Sequence, residues 1–142
     1  MDSADHLARY KNADLFLDTT PCNAHTTASD ALWAGLPVLT LAGESFGARV
    51  AASLNNAVGL TDLTVETQEE YEALAIQLAS NPSSLQEIKA RLQENLLTAP
   101  LFDTPLFTKN LEAGYLEAYE RHQQDVPLDH IYIGAPKGYE YP

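Results

Sequence analysis

The sequence is short of cysteine, of basic residues and of long apolar runs, and each shortage closes off a class of protein. It has one cysteine, Cys22, so no internal disulfide framework is possible and a reducing compartment fits best. Lysine and arginine number 8 against 20 aspartates and glutamates, a net charge of −12. That balance is wrong for a general nucleic-acid binder, whose affinity comes from cations laid along phosphates. No apolar run approaches the roughly 18 residues of a membrane-spanning helix, and no charged-then-apolar segment opens the chain as a secretory signal would. The expectations are therefore no nucleic acid, no membrane and a cytoplasmic location. Neither a G-x-x-x-x-G-K-[ST] loop nor a G-x-G-x-x-G loop is present. The histidines His6, His25, His122 and His130 are scattered, and only His25 lies near the cysteine. Structural zinc needs a full tetrahedral ligand set, so no metal is expected. A thiol nucleophile at Cys22 with His25 as its base is also weak, because loop neighbours rarely present both groups to one substrate.

What is present is an ordinary globular composition, 45% hydrophobic over 142 residues, enough for one domain with a real core. The charge is unevenly placed. Before residue 60 the acids are Asp2, Asp5, Asp14, Asp18, Asp30 and Glu44, set against Arg9, Lys11 and Arg49. The acidic excess lies mostly in the later helices, where a solvated face explains it. A phosphate ligand thus stays possible in the first third.

Along the chain, His6 to Lys11 reads as the tail of a short helix and Leu15 to Leu17 as a short strand closed by Asp18. Thr19 to Asn23 is a polar loop containing Pro21. From Thr26 the residues Ala28, Ala31 and Leu32 recur at helical spacing, and Gly35 is placed to terminate that helix. Pro37 to Leu41 is a second strand, Gly43 to Gly47 a loop, and Ala48 to Ala57 a helix stopped at Gly59. Leu63 to Val65 is a third, weaker strand. Apolar runs without alternation, joined by helices, are the grammar of a parallel α/β sheet covered on both faces. Thr67 with Glu70 forms a capping-box pattern ahead of Tyr71, Leu74, Ala75 and Leu78. Asn81-Pro82 starts the next helix, with Leu85, Ile88, Leu92 and Leu96 as its stripe, and Thr104-Pro105 starts another carrying Phe107, Leu111, Tyr115 and Tyr119. After Gln124 the pattern dissolves. So few strands are an incomplete sheet by ordinary standards, and the expectation is that the opening strands belong to another segment. The organisation expected is a partial Rossmann-like donor-binding domain with C-terminal helices over residues 1–124 and an irregular tail over 125–142.

The informative stretch runs from Asp18 to Asp30. It puts a loop at the C-terminal end of a parallel strand and then opens a helix, which is where open α/β sheets bind ligands. Free N–H groups and a partial positive charge at that helix start suit a phosphate. His25, Thr26 and Thr27 add an imidazole and two hydroxyls there. Asp30, about one turn on, can accept from a sugar hydroxyl. The local chemistry alone weighs evenly against a plain alternative, in which Thr26 is an N-cap and His25 a surface residue. His6 and Arg9 share a helix face, for which solvation is the better reading without further information.

These residues carry a family likeness. His6-Leu7-Ala8-Arg9, Ala13 to Thr19, and the run Cys22-Asn23-Ala24-His25-Thr26-Thr27-Ala28-Ser29-Asp30-Ala31-Leu32-Trp33-Ala34-Gly35-Leu36-Pro37-Val38 closely resemble the C-terminal catalytic region of the O-GlcNAc transferase/SPINDLY family, in a bacterial-type form. The likeness continues through Gly43-Glu44, Arg49 to Ser53 and Pro100 to Asp103, covering roughly residues 6 to 131. It implies the C-terminal part of a GT-B fold, whose Rossmann-like half holds a donor nucleotide, and a metal-independent inverting transfer to a protein hydroxyl. It further implies that His6 and Arg9 lie near the base, His25, Thr26 and Thr27 near the diphosphate, and Asp30 on the ribose. His25 and Asp30 match the branch using UDP-GlcNAc, whereas plant SPINDLY-like members, using GDP-fucose, look different there. The family's phosphate-contacting lysine, acceptor-side groups and protein-binding repeats have no counterpart in this chain. The partners implied are a UDP-sugar, an acceptor protein, the upstream half of the same enzyme and N-terminal helical repeats. The competing expectation is a non-catalytic helical interaction module whose nucleotide site is incomplete.

Overall fold

The computed structural model describes residues 2–134. They divide into two compact units at the Phe102–Asp103 junction. The first opens with a short helix, α1 (Ser3–Ala8), running into a 3-10 turn at Arg9–Asn12. Then come strand β1 (Phe16–Leu17), helix α2 (Thr26–Trp33), strand β2 (Val38–Leu41) and helix α3 (Val50–Ala57). Strand β3 (Thr64–Val65) and helices α4 (Gln68–Ser80) and α5 (Pro82–Asn95) complete the unit. The second unit holds helix α6 (Thr104–Gln123).

The sheet has the order β1-β2-β3 and is parallel throughout. Phe16 pairs with Val38 and Leu17 with Leu39, while Thr40 pairs with Thr64 and Leu41 with Val65. Central β2 buries Val38, Leu39 and Thr40 in succession, as a strand covered on both faces must. The core joins Ala28, Ala31 and Leu32 of α2 to Val38, Ala51, Val58, Leu60, Leu63, Leu78, Ile88 and Leu92. From α3, the buried Asn55 amide donates to the Val38 carbonyl at 2.8 Å, fastening that helix to the central strand.

Sequence signals set the element ends. Gly35 at φ +83° follows α2, with its N–H on the Leu32 carbonyl and the Leu36 N–H on the Ala31 carbonyl. Gly59 at φ +76° closes α3 in the same way, through Asn56 and Asn55. Both are Schellman ends, in which a residue with a Cβ would be strained. The capping box of Thr67 and Glu70 opens α4, and Asn81 with Pro82 opens α5. Helix α3 starts later than its apolar pattern predicts: Phe46–Ala48 forms a separate 3-10 turn, and Arg49 at φ −123° interrupts the helical path before Val50. The start of α2 also differs from the plain alternative. His25, not Thr26, occupies the N-cap position.

In the second unit Asp103 caps α6 by accepting from the Leu106 N–H at 2.9 Å. The chain beyond returns towards the helix, where the Arg121 guanidinium donates to the His130 carbonyl at 3.2 Å. No residue of α6 is buried, and Phe107, Leu111, Tyr115 and Tyr119 are all exposed. Residues 125–134 form no helix or strand, and the rest of the tail expected over 125–142 lies outside the described residues. No helix among the described residues is long and apolar enough to cross a membrane.

Candidate functional site

The site is built from the end of β1, because that strand delivers Asp18 into the interior. Asp18 is 5% exposed. One carboxylate oxygen accepts from the N–H groups of Thr19 (2.8 Å) and Ala24 (2.7 Å), and the other from the Thr40 hydroxyl (2.6 Å). Burying a carboxylate costs several kcal/mol unless hydrogen bonds satisfy it, and here three donors do so. The same residue's carbonyl accepts from the Tyr71 phenol of α4 at 2.8 Å. Burial, and then the nearby Asp18 charge, push the Tyr71 phenol up from its ordinary value. Asp18 thereby folds residues 18–24 into a closed ring.

That ring is tied to its surroundings by Asn23, also nearly buried. The Asn23 N–H donates to the Gly47 carbonyl at 2.8 Å, and its side-chain amide reaches the Thr19 and Leu41 carbonyls, each at 3.4 Å. The loop after β1 and the loop after β2 are thus one structure at the C-terminal edge of the sheet, the position at which open α/β sheets take ligands.

Helix α2 rises from this platform. His25 is its N-cap residue, and its side chain makes no capping hydrogen bond. Thr26 and Thr27 are the exposed first two residues. The opening N–H groups of a helix lack intrahelical acceptors and sit at the positive end of its dipole, which is the chemistry that suits an anion. His25 turns its Nε2 to the Gly47 carbonyl (3.4 Å) and sets its ring edge-on to Phe46, with centroids 6.0 Å apart. Cys22 Sγ lies 3.7 Å from the Asn23 carbonyl, so Cys22 and His25 make separate contacts and do not form a thiol–imidazole pair. Among the described residues no cluster of three or more His, Cys, Asp or Glu is placed to hold a metal ion.

One turn into α2, Asp30 Oδ2 meets His6 Nε2 at 3.6 Å, with both side chains a little over a third exposed. The structure therefore joins residues of α1 and α2 that lie far apart in the sequence. Tyr10 completes the contact between the segments. Its hydroxyl donates to the Thr27 carbonyl at 3.3 Å, and its ring stands perpendicular to His6 with centroids 5.4 Å apart. Burial and the charge of Asp30 raise the Tyr10 phenol above its ordinary value, with Arg9 acting in the opposite direction. Arg9 is exposed on the neighbouring turn, beside a cavity of about 310 Å³ that His6, Tyr10 and Leu36 also line. A larger groove of about 670 Å³, lined by Phe46, Arg49, Ser53 and Leu54 among others, adjoins His25 through Phe46. Among the six candidates, then, His6 and Asp30 touch, Thr26 and Thr27 form the helix start, His25 faces the 46–47 loop, and Arg9 lies beside Tyr10.

Sequence reasoning passed over Asp18, Asn23, Tyr10 and Tyr71 as site builders. Asp18 did carry a local signal, an acid at the last position of an apolar strand followed by Thr-Thr-Pro. Tyr71 carried none, since its partner is 53 residues away.

Residues 2–111 match the family described as Glycosyl transferase family 41. A probable UDP-N-acetylglucosamine–peptide N-acetylglucosaminyltransferase of Arabidopsis thaliana, SEC, is 45% identical over 84% of this chain and 12% of its own length. The corresponding Caenorhabditis elegans enzyme is 34% identical, over 89% of this chain and 11% of its own. Among solved structures, a mutant of the Thermobaculum terrenum O-GlcNAc transferase superposes with a TM-score of 0.77 at 36% identity, covering 89% of this chain and 24% of that one. The chain thus spans about an eighth of the length of the curated relatives it matches.

Proposed function

Because this chain belongs to glycosyl transferase family 41, we propose that it is the nucleotide-sugar-binding segment of an inverting protein O-glycosyltransferase, with UDP-GlcNAc as donor and protein Ser/Thr hydroxyls as acceptors. Its fold is the C-terminal part of a GT-B, Rossmann-like nucleotide-binding domain. The observation that carries the proposal is the start of α2, which its N-cap side chain leaves uncapped, on the C-terminal edge of the sheet, with the His6–Asp30 pair one turn along.

In this reading the diphosphate lies across the N–H groups and hydroxyls of Thr26 and Thr27, with His25 beside them. Preformed N–H donors at a helix start need no reorganisation when negative charge arrives, and the same donors stabilise the diphosphate as it leaves in transfer. Asp30 accepts from the ribose hydroxyls, and the base lies towards His6 and Arg9. No metal is required, since helix dipole and hydroxyls take the anionic charge. Acceptor positioning and a phosphate-contacting cation fall to the rest of the enzyme and its helical repeats, so the chain alone binds donor without turning it over.

Calorimetric titration with UDP, then GDP, in buffer containing EDTA tests this. UDP binding that is stronger than GDP binding, survives EDTA and drops by at least about tenfold in Asp30→Ala is the expected result. Equal binding of both nucleotides, or binding indifferent to Asp30→Ala, would refute the assignment of the donor. A second reading, a non-catalytic interaction module, draws on the exposed Phe107, Leu111, Tyr115 and Tyr119 of α6. It predicts no nucleotide binding with the fold intact.

A further inference from the structure

The first turn of a helix is ordinarily fixed by the side chain of its N-cap residue, which accepts from the N–H groups that follow it. Helix α2 lacks that device, since the His25 side chain makes no capping hydrogen bond. Its start is held one residue upstream instead. The Ala24 N–H donates to Asp18 Oδ1 at 2.7 Å, and the Thr19 N–H donates to the same oxygen at 2.8 Å. The Thr40 hydroxyl of β2 donates to Oδ2 at 2.6 Å. The Asp18 main chain is held as well, by its N–H on the Leu39 carbonyl and by the Tyr71 hydroxyl on its own carbonyl.

These bonds join the entry of α2 to both β1 and β2. They are short, they share a charged acceptor, and they lie away from water, with Asp18 5% exposed and Thr40 fully buried. Charge-assisted bonds of this kind are the stronger class. Asp18 thus does from outside the helix what an N-cap side chain does from within, and its carboxylate occupies no N–H of the helix itself. Burial and three donors withdraw that carboxylate from any ligand, so its part is geometric.

We propose that Asp18 is a positioning residue for the phosphate end of the site. Its carboxylate sets the direction in which α2 leaves the loop, and with it the aim of the first N–H groups and hydroxyls of the helix. The inference rests on the donor-site reading above. Hydrogen bonds weaken steeply with misalignment, so donors that shift slightly bind an anion less well while the helix remains. Asp18→Asn turns one acceptor into a donor that faces donors, and the entry of α2 must move to accommodate it. Thr40→Val keeps the carboxylate and removes one of its donors, and Thr40→Ser keeps the hydroxyl.

The experiment titrates UDP and inorganic pyrophosphate into the unmodified chain, Asp18→Asn, Thr40→Val and Thr40→Ser, followed by amide chemical shifts. The temperature is one at which circular dichroism shows each chain folded. Asp18→Asn is expected to weaken both probes by the same factor, at least about tenfold, the worth of one hydrogen bond to a charged group. Thr40→Val is expected to weaken both by about threefold, and Thr40→Ser to retain the unmodified affinities. Before any ligand is added, the Thr26 and Thr27 amide signals move in Asp18→Asn. A purely stabilising role would lower the melting temperature and leave the affinities of the folded chains alone, and that result overturns the proposal. Loss of UDP with pyrophosphate unaffected overturns it too, as does pyrophosphate that shifts no amide at the start of α2. The two Thr40 variants keep the test decisive if Asp18→Asn does not fold. An unmodified chain that binds neither probe refutes the donor-site reading and this one together, whereas binding that the variants leave unaltered refutes this one alone.

Discussion

Helices α5 and α6 are written in the same way and end in opposite environments. Each opens with a polar cap beside a proline, Asn81-Pro82 in one and Asp103-Thr104-Pro105 in the other. Each carries apolar residues every three or four positions. Yet α5 buries Leu85, Ile88 and Leu92, while α6, longer at 20 residues, buries none. The difference shows that capping and periodicity specify a helix and its apolar face, whereas what covers that face depends on chain far away in sequence. For α5 the cover is the core built by α2, β2 and α3. For α6 the described residues of its own unit leave the face open.

Truncating the two stripes should give the largest contrast. Leu92→Ala leaves a cavity in a fully buried position and should cost about 3 kcal/mol. Leu111→Ala, on a residue 42% exposed, should stay within about 0.5 kcal/mol. Urea denaturation measures both, and equal losses would mean that α6 is covered in solution.

Next in size is Asp18→Asn, which keeps the shape of the side chain but turns one acceptor into a donor facing donors. It should cost about 2 kcal/mol and would show that a buried polar ring anchors the first unit as much as its apolar core does. A change under half that size, again by urea denaturation, would remove Asp18 from this role.

The caps sharpen the comparison further. Asn81→Ala and Asp103→Ala each remove about 1 kcal/mol of helix stabilisation. The first should appear in global denaturation because α5 belongs to the core. The second should appear only as faster amide exchange in the first turn of α6. Global destabilisation by Asp103→Ala would contradict the division at Phe102.

The smallest effect is alkaline. The Tyr71 phenol sits higher in the folded than in the unfolded chain, so the native state keeps that proton longer. Its contribution is complete below the unfolded value of about 10 and is lost as pH rises through the folded value. Tyr71→Phe should therefore lose less stability than the unmodified chain between neutral and strongly alkaline pH, as thermal melts across that range would show.

Much of this was legible beforehand. The parallel strands, the capping box at Thr67, and the glycine ends at Gly35 and Gly59 are local signals with local causes, and they appear where the pattern put them. The placement of Thr26, Thr27 and Asp30 at a helix start beyond a strand was equally local. What the residues could not announce was pairing across distance. His6 meeting Asp30, Tyr10 reaching Thr27 and Tyr71 reaching Asp18 depend on how elements pack, and no spacing rule encodes them. The late start of α3 accompanies another such pairing, the Asn23 N–H on the Gly47 carbonyl two residues before Arg49.

The central claim is that a nucleoside diphosphate lies across the start of α2. Amide chemical-shift mapping during a UDP titration tests it residue by residue. The account predicts the largest shifts at Thr26, Thr27 and Ala28, smaller ones at His6 and Asp30, and none along α6. Shifts confined to α6 and the chain beyond it, or no shifts at saturating UDP, would contradict it.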